Sequence, residues 1–227
     1  MSGAFMRRVL LDARDGQVSA SLEDDFHHFK VELAHDGRVV TAVRADAVRH
    51  PWTTCPQAGA QLQELVGCAV ATRAQSSIDA HQQCTHQYDL ALMALAQGVR
   101  GGQREYLARV DDPVDGRQQA TLVRDGAVGL TWTLEGSTIV SGSYLQGANL
   151  RKLDMTAIAD ADLAEAVMLL RRSVMVAGGR GIDFDVYPSL EVFAGRMTGA
   201  CYAFQPQRLA EGLRVKKSVR DFSPSNL

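Results

Sequence analysis

Between His50 and Leu90 the chain gathers most of the side chains that could do chemistry. HPWTTCP (His50 to Pro56) and HQQCTHQYDL (His81 to Leu90) supply His50, Trp52, Cys55, His81, Cys84, His86 and Asp89. Thiols, imidazoles and carboxylates build metal sites, nucleophiles and acid/base pairs, and the spacing leaves all three open. His81, Cys84 and His86 form a His-x2-Cys-x-His string, and with Cys55 as a fourth donor this N/S set suits zinc or iron. Because positions i and i+3 share a helix face and i+5 does not, such a grip needs the helix to begin at or after Cys84. A covalent thiol route would use Cys84 or Cys55, and Cys84, just ahead of Thr85, stands where a helix N-terminus favours the thiolate. Its structural alternative is that Cys84 and Thr85 start the helix while the sulfur packs beneath it.

Acid/base chemistry without a cofactor demands least of the spacing. His27, His28, His86, Tyr88 and Asp89 would line a pocket between sheet and helices. In DDFHHF the two histidines alternate along a strand, so only one can face that pocket, and His28 is the candidate. His86 is then the acid or base, Asp89 its orienting partner at i+3, and Cys55 and Cys84 the pocket wall. Each histidine could instead be a surface group or a core group with its hydrogen bonds satisfied.

The elements that must position these groups are strands and hairpins. VLLDAR, QVSASL, FHHFKVELA and RVVTAVRA are short apolar runs separated by Asp-Gly at 15–16 and 36–37, the signature of tight hairpins. Phe29, Val31 and Leu33 alternate with Lys30 and Glu32, which gives one buried and one wet sheet face. ATLVRDGAVGLTWTLEGSTIV repeats the plan, so strands are expected at 31–34 with 38–43 and at 120–124 with 127–134. Three helices punctuate them. Pro56 opens a short one with Leu62, Leu65 and Val66 on one side and Gly67 at its end. A second starts near Thr85 and runs to Gly101-Gly102, with Leu90, Met93, Ala94 and Gln97 on one face. The third follows Asp160-Ala-Asp162 and carries Val167, Leu170, Val174 and Met175 as its core stripe. VAGGRGID follows that helix instead of a strand, so it reads as a C-cap and not as a phosphate loop. The expected fold is therefore α+β, one domain over residues 1–227, with antiparallel hairpin modules at approximately 1–100 and 101–227 packed with about three helices.

Composition narrows the class. A chain of 227 residues with 46% hydrophobic and 22% charged residues can build a real core, and a net charge of -2 gives no field to draw nucleic acid. No apolar run approaches the roughly 20 residues of a membrane span, and the first residues lack a signal-peptide pattern. A cytoplasmic protein with a small-molecule substrate, no nucleic-acid or membrane partner and possible homo-oligomerisation is expected. The four cysteines, at 55, 68, 84 and 201, show no CxxC pair and read as thiols; Cys68 reads as a small core hydrophobe. GACYAFQP places Cys201, Tyr202 and Gln205 in the core, RVKKSVRDF reads as a solvated face or oligomer contact, and FSPSNL as a loosely held end.

DDFHHFKVELAHDGRVV, RHPWTTCPQA, QCTHQYDLA, LRRSVMVAGGR, GACYAFQP and the RDF near the end resemble successive blocks of a bacterial family catalogued as a domain of unknown function, whose members share PWxxCP and CTHxxDLA stretches. The resemblance covers nearly the whole chain. Members occur in bacteria that degrade aromatic and related compounds, so it implies a catabolic enzyme, a lyase or hydrolase acting on such a compound. The block reads CTHQYDL where a Leu or Phe often stands near the Gln-Tyr pair in the family, which marks Tyr88 as a position that varies with substrate. The competing reading is a metal-binding (Zn/Fe) or ligand-sensing module without turnover.

Overall fold

The computed structural model describes residues 3–72 and 78–223, with the side chain of Arg196 left aside. Its strands hydrogen-bond in the order β4-β3-β2-β1-β5-β6-β7-β8. They are β1 (Ala4–Arg14), β2 (Gln17–Asp24), β3 (His28–His35), β4 (Val40–Arg49), β5 (Gly102–Asp111), β6 (Arg117–Arg124), β7 (Ala127–Glu135) and β8 (Thr138–Gly142). The α-helices are α1 (Thr85–Arg100), α2 (Ala161–Ala177) and the one-turn α3 (Leu190–Phe193). The architecture is the expected α+β, built on antiparallel hairpins. By contacts the chain divides into two compact units, one of residues 9–104 and 183–220, the other of 1–8, 105–182 and 221–227.

In the first unit, the Asp-Gly pairs set the hairpins. Asp15 and Gly16 both take positive φ, 51° and 76°, the geometry that matches the strand twist and that few residues other than glycine tolerate. A Cβ on Gly16 would also stand 2.7 Å from the carbonyl oxygen of His35. At the next turn Asp36 Oδ1 accepts the amides of Arg38 and Val39. β3 and β4 then pair antiparallel, with Leu33 opposite Val43 and Ala34 opposite Ala42, as the alternation requires. Phe29, Val31 and Leu33 are buried while Lys30 and Glu32 are exposed. Helix α1 lies across β2 and β3 with Leu90, Met93, Ala94 and Gln97 buried. Gly98 lets it approach closely, since a Cβ there would meet His35 Nε2 at 3.0 Å.

The Pro56 segment is helical but tight, a 3-10 helix over Cys55–Leu65 with Leu62 and Leu65 buried. Two expectations fail here for one reason: after Leu65 the chain turns outward, leaving Val66 44% exposed and Cys68 half-buried instead of core. The basic run is not a solvated face throughout. Arg214 is buried, over the rings of Trp52 and Phe184, with Nε donating to Asp185 Oδ1 at 2.9 Å and Nη1 to Pro51 O at 2.8 Å.

In the second unit β6 and β7 pair from Arg124 opposite Ala127 to Arg117 opposite Glu135, the second expected hairpin, turning at Asp125 and Gly126 with φ 50° and 80°. Trp132, Tyr106, Leu122 and Leu134 fill its interior with Val167 and Leu170 of α2. Asp160 caps α2, its carboxylate accepting the amide of Leu163. The core stripe stops short of the end of α2, because Val174 is half-buried and Met175 is 41% exposed. Gly178 is not a left-handed cap. It keeps φ -58° and the chain runs on as a 3-10 turn, Gly178–Gly181, held by Arg180, whose guanidinium bonds Asp112, Asp221 and Ser223. Ser223 in turn exchanges hydrogen bonds with the backbone of Ala4. Phe222 and Ser223 are thus not loosely held, and 224–227 lie outside the described residues. No helix among the described residues is long and apolar enough to cross a membrane.

Candidate functional site

The chemistry of the first unit collects where the turn between β2 and β3 meets the start of α1. Asp24, at the end of β2, is fully buried. Its Oδ1 accepts the backbone amides of Phe26 and His27, both at 2.8 Å, a turn in which a short carboxylate replaces the missing strand partner. The same oxygen lies 3.0 Å from His27 Nδ1. A carboxylate only accepts, so Nδ1 carries the hydrogen and the other ring nitrogen of neutral His27 keeps its lone pair. The His27 ring stacks on His86 with centroids 4.1 Å apart, and Phe29 supports both rings. One ligand atom from each of Asp24, His27 and His86 lies within 4.8 Å of the others. Among the described residues they are the group of three that could hold a metal ion.

Arg49, at the end of β4, holds this turn in shape. Nη1 donates to Asp25 O at 2.9 Å and Ser218 O at 3.0 Å, while Nη2 donates to Asp24 O at 2.5 Å and His27 O at 3.1 Å. A planar guanidinium can serve four carbonyls at once, which a lysine ammonium cannot. Next along the chain, His50 places Nδ1 3.0 Å from Trp52 O, so its proton sits on Nδ1. Burial and the nearby His27 lower the pKa of His50 below the ordinary histidine value, although the hydrogen bond to Trp52 pulls the other way.

The cysteines form a separate neighbourhood. Cys55 packs with Trp52, Leu190, Ala203 and Phe204, and Cys201 borders the same cluster. Burial pushes the Cys55 thiol far up, with Cys84 and Cys201 adding to the effect. Burial likewise pushes Cys84 up to about 12, against the opposing pull of the His86 and Gln87 amides that face its sulfur. Such thiols stay protonated near neutral pH, so the helix N-terminus does not activate Cys84 as a nucleophile. GACYAFQP clasps the segment before α1: Tyr202 N donates to Gln83 O, and Gln205 Nε2 donates to His81 O at 2.7 Å.

The sequence candidates fall in different places. His86 lies in the group with Asp24 and His27. His28 lies apart from it, because Phe29 points inward toward His86 and alternation turns His28 to the opposite face of β3, where its Nδ1 lies 3.7 Å from Glu23. The carboxylate grouped with His86 is that of Asp24, and Asp89 lies outside that group. Tyr88 is buried at 9% exposure. His81 does not join Cys84 and His86 as ligands: it is exposed, its Nδ1 3.2 Å from Gly199 O. Cys55, Cys84 and His86 therefore converge only in part, thiol with thiol and imidazole with imidazole. Asp24 and Arg49 escaped sequence reasoning, yet DDF before two histidines and Arg49 directly before His50-Pro51-Trp52 stood within the blocks that carried the family resemblance.

No curated protein matches the chain. Residues 9–99, which contain Asp24, His27, Arg49, His50, Cys55, Cys84 and His86, match the model of a family described as protein of unknown function (DUF2889).

Proposed function

We propose that this protein is a small-molecule enzyme, a lyase or hydrolase, whose acid/base groups are His27 and His86. The observation that carries the reading is the Asp24–His27 contact of 3.0 Å beside a second imidazole stacked at 4.1 Å. A buried carboxylate that accepts a hydrogen bond from Nδ1–H fixes both tautomer and ring orientation, and leaves on Nε2 the lone pair a general base needs. His86, less buried than Asp24, supplies the complementary proton donor or acceptor. Cys55 and Cys84, held as neutral thiols, belong to the wall.

The substrate class is an aromatic or related compound, the chemistry that the family resemblance implies. The test is a thermal-shift screen of aromatic carboxylic acids, which reports any ligand that binds the folded state, followed by turnover of the hits. His86→Ala and His27→Ala should abolish turnover, with His86→Ala melting within a few degrees of wild type, while His28→Ala turns over normally. Full activity in folded His86→Ala protein would overturn the assignment.

A further inference from the structure

We infer that Asp24, His27 and His86 form a binding site for one divalent first-row transition metal, zinc or iron. The inference rests on these side chains being the reacting centre, as proposed above, and adds the cofactor that would act there.

The donor set comes first. Two imidazoles and one carboxylate are borderline nitrogen and hard oxygen ligands, a combination that suits zinc and, when the three share one face of the ion, iron(II). Magnesium and calcium prefer oxygen-only shells. Distance comes second. Two ligands each about 2.1 Å from an ion stand about 3.0–3.4 Å apart in a facial or tetrahedral site. The three donor atoms here lie within 4.8 Å of one another, so closing on an ion needs movements of up to roughly 1.5 Å. His86 sits in the first turn of α1 and can supply that movement through its side-chain torsions.

The surroundings come third. Metal-binding carboxylates and imidazoles are held by a second layer of hydrogen bonds. Asp24 Oδ1 is pinned by the amides of Phe26 and His27. The carbonyls of Asp24, Asp25 and His27 are pinned by Arg49, and Arg220 N donates to Asp25 O at 2.7 Å. The rings rest on Phe29, which is fully buried. The turn is thus hydrogen-bonded where ligands must be and rests on a buried ring. The fully buried Asp24 carboxylate also gains from a cation that balances its negative charge.

The test uses the full-length protein, stripped with a chelator and titrated calorimetrically under anaerobic conditions with Zn²⁺, Fe²⁺ and Mg²⁺ in separate runs. One equivalent of Zn²⁺ or Fe²⁺ should bind, and Mg²⁺ should not. Because removing even an outer-shell partner costs about 10–100-fold in affinity, His27→Ala and His86→Ala should each weaken binding by at least about 100-fold. His28→Ala and Cys84→Ser should match wild type. Circular dichroism and melting of each variant separate ligand loss from unfolding, and His86→Gln supplies a second folded variant lacking the imidazole. Failure of the folded wild-type protein to take up one equivalent of either metal would overturn the site, as would binding that survives both histidine variants or disappears in Cys84→Ser. Turnover reads separately: if no metal binds and His86→Ala still abolishes activity, the metal site falls and the acid/base reading stands. If metal binds through both histidines and His86→Ala remains active, the reverse holds.

Discussion

Replacing Arg49 by alanine removes one guanidinium and takes a donor from four carbonyl oxygens, those of Asp24, Asp25, His27 and Ser218. Its side chain is only 12% exposed, so water reaches the vacated carbonyls incompletely. A hydrogen bond from a charged group contributes about 1.5–3 kcal/mol, and bonds made by one group do not add in full. The contact with Glu23 at 3.4 Å adds little, because Glu23 is 44% exposed and such pairs are worth less than about 1 kcal/mol. The expected loss is about 3–5 kcal/mol in a urea titration, with the slope of the transition unchanged. Arg49→Lys keeps the charge but serves at most part of the carbonyl set, so it should recover less than half of the loss. Because the guanidinium fixes the turn carrying Asp24 and His27, the His27 ring resonances should also move in NMR spectra of Arg49→Lys. A loss under about 1 kcal/mol in Arg49→Ala, or an Arg49→Lys protein with wild-type stability and His27 spectrum, would refute this account of the turn.

Leu170→Ala, at a fully buried position of α2, should cost about 2–5 kcal/mol by chemical denaturation, whereas Met175→Ala, at 41% exposure, should cost under about 1 kcal/mol. In native protein at pH 8, a thiol reagent should modify Cys68 first and leave Cys55 and Cys84 untouched until denaturant is added, since burial holds both in the neutral form; rapid labelling of Cys84 in the native state would contradict that burial. The lowered pKa of His50 means that the unfolded chain binds its proton first as pH falls. The contribution of His50 to stability is therefore complete above the unfolded value near 6.5 and declines below it, so His50→Asn should flatten the dependence of Tm on pH between about 5 and 7.

The fold was legible because its signals are local. Asp15-Gly16, Asp36-Gly37 and Asp125-Gly126 each name a turn, and the alternation from Phe29 to Leu33 assigns the buried face of β3 without any knowledge of what packs there. The helices were legible for the same reason, Asp160 ahead of α2 and Gly101 behind α1 being end signals written into the chain itself. What the alternation could not decide was the phase at its own edge. In His27-His28 one imidazole faces α1 and one does not, and the answer depends on His27 lying in the turn before β3, where Asp24 bends the backbone so that His27 and Phe29 share a side. Exposure failed at ends too: Val66 and Met175 sit at helical spacing but past the point where their elements leave the core.

The candidate site was legible in composition and hidden in pairing. Sequence proximity favoured His81, Cys84, His86 and Asp89 as a unit, because they lie within nine positions of one another. The fold instead joins His86 to residues about sixty positions earlier, through the packing of α1 on β2 and β3. Long-range pairing of this kind follows from which strand the helix covers, and the burial of Leu90, Met93 and Ala94 against the sheet is what selects it. The hydrophobic face of α1 thereby acts at a distance from its own chemistry. By docking on β2 and β3 it brings the His86 ring over His27, while burial near Cys55 and Cys201 silences the Cys84 thiol. The two chemistries that the CTH block offers together are thus separated, the imidazoles lying with a carboxylate and the cysteines with an apolar wall.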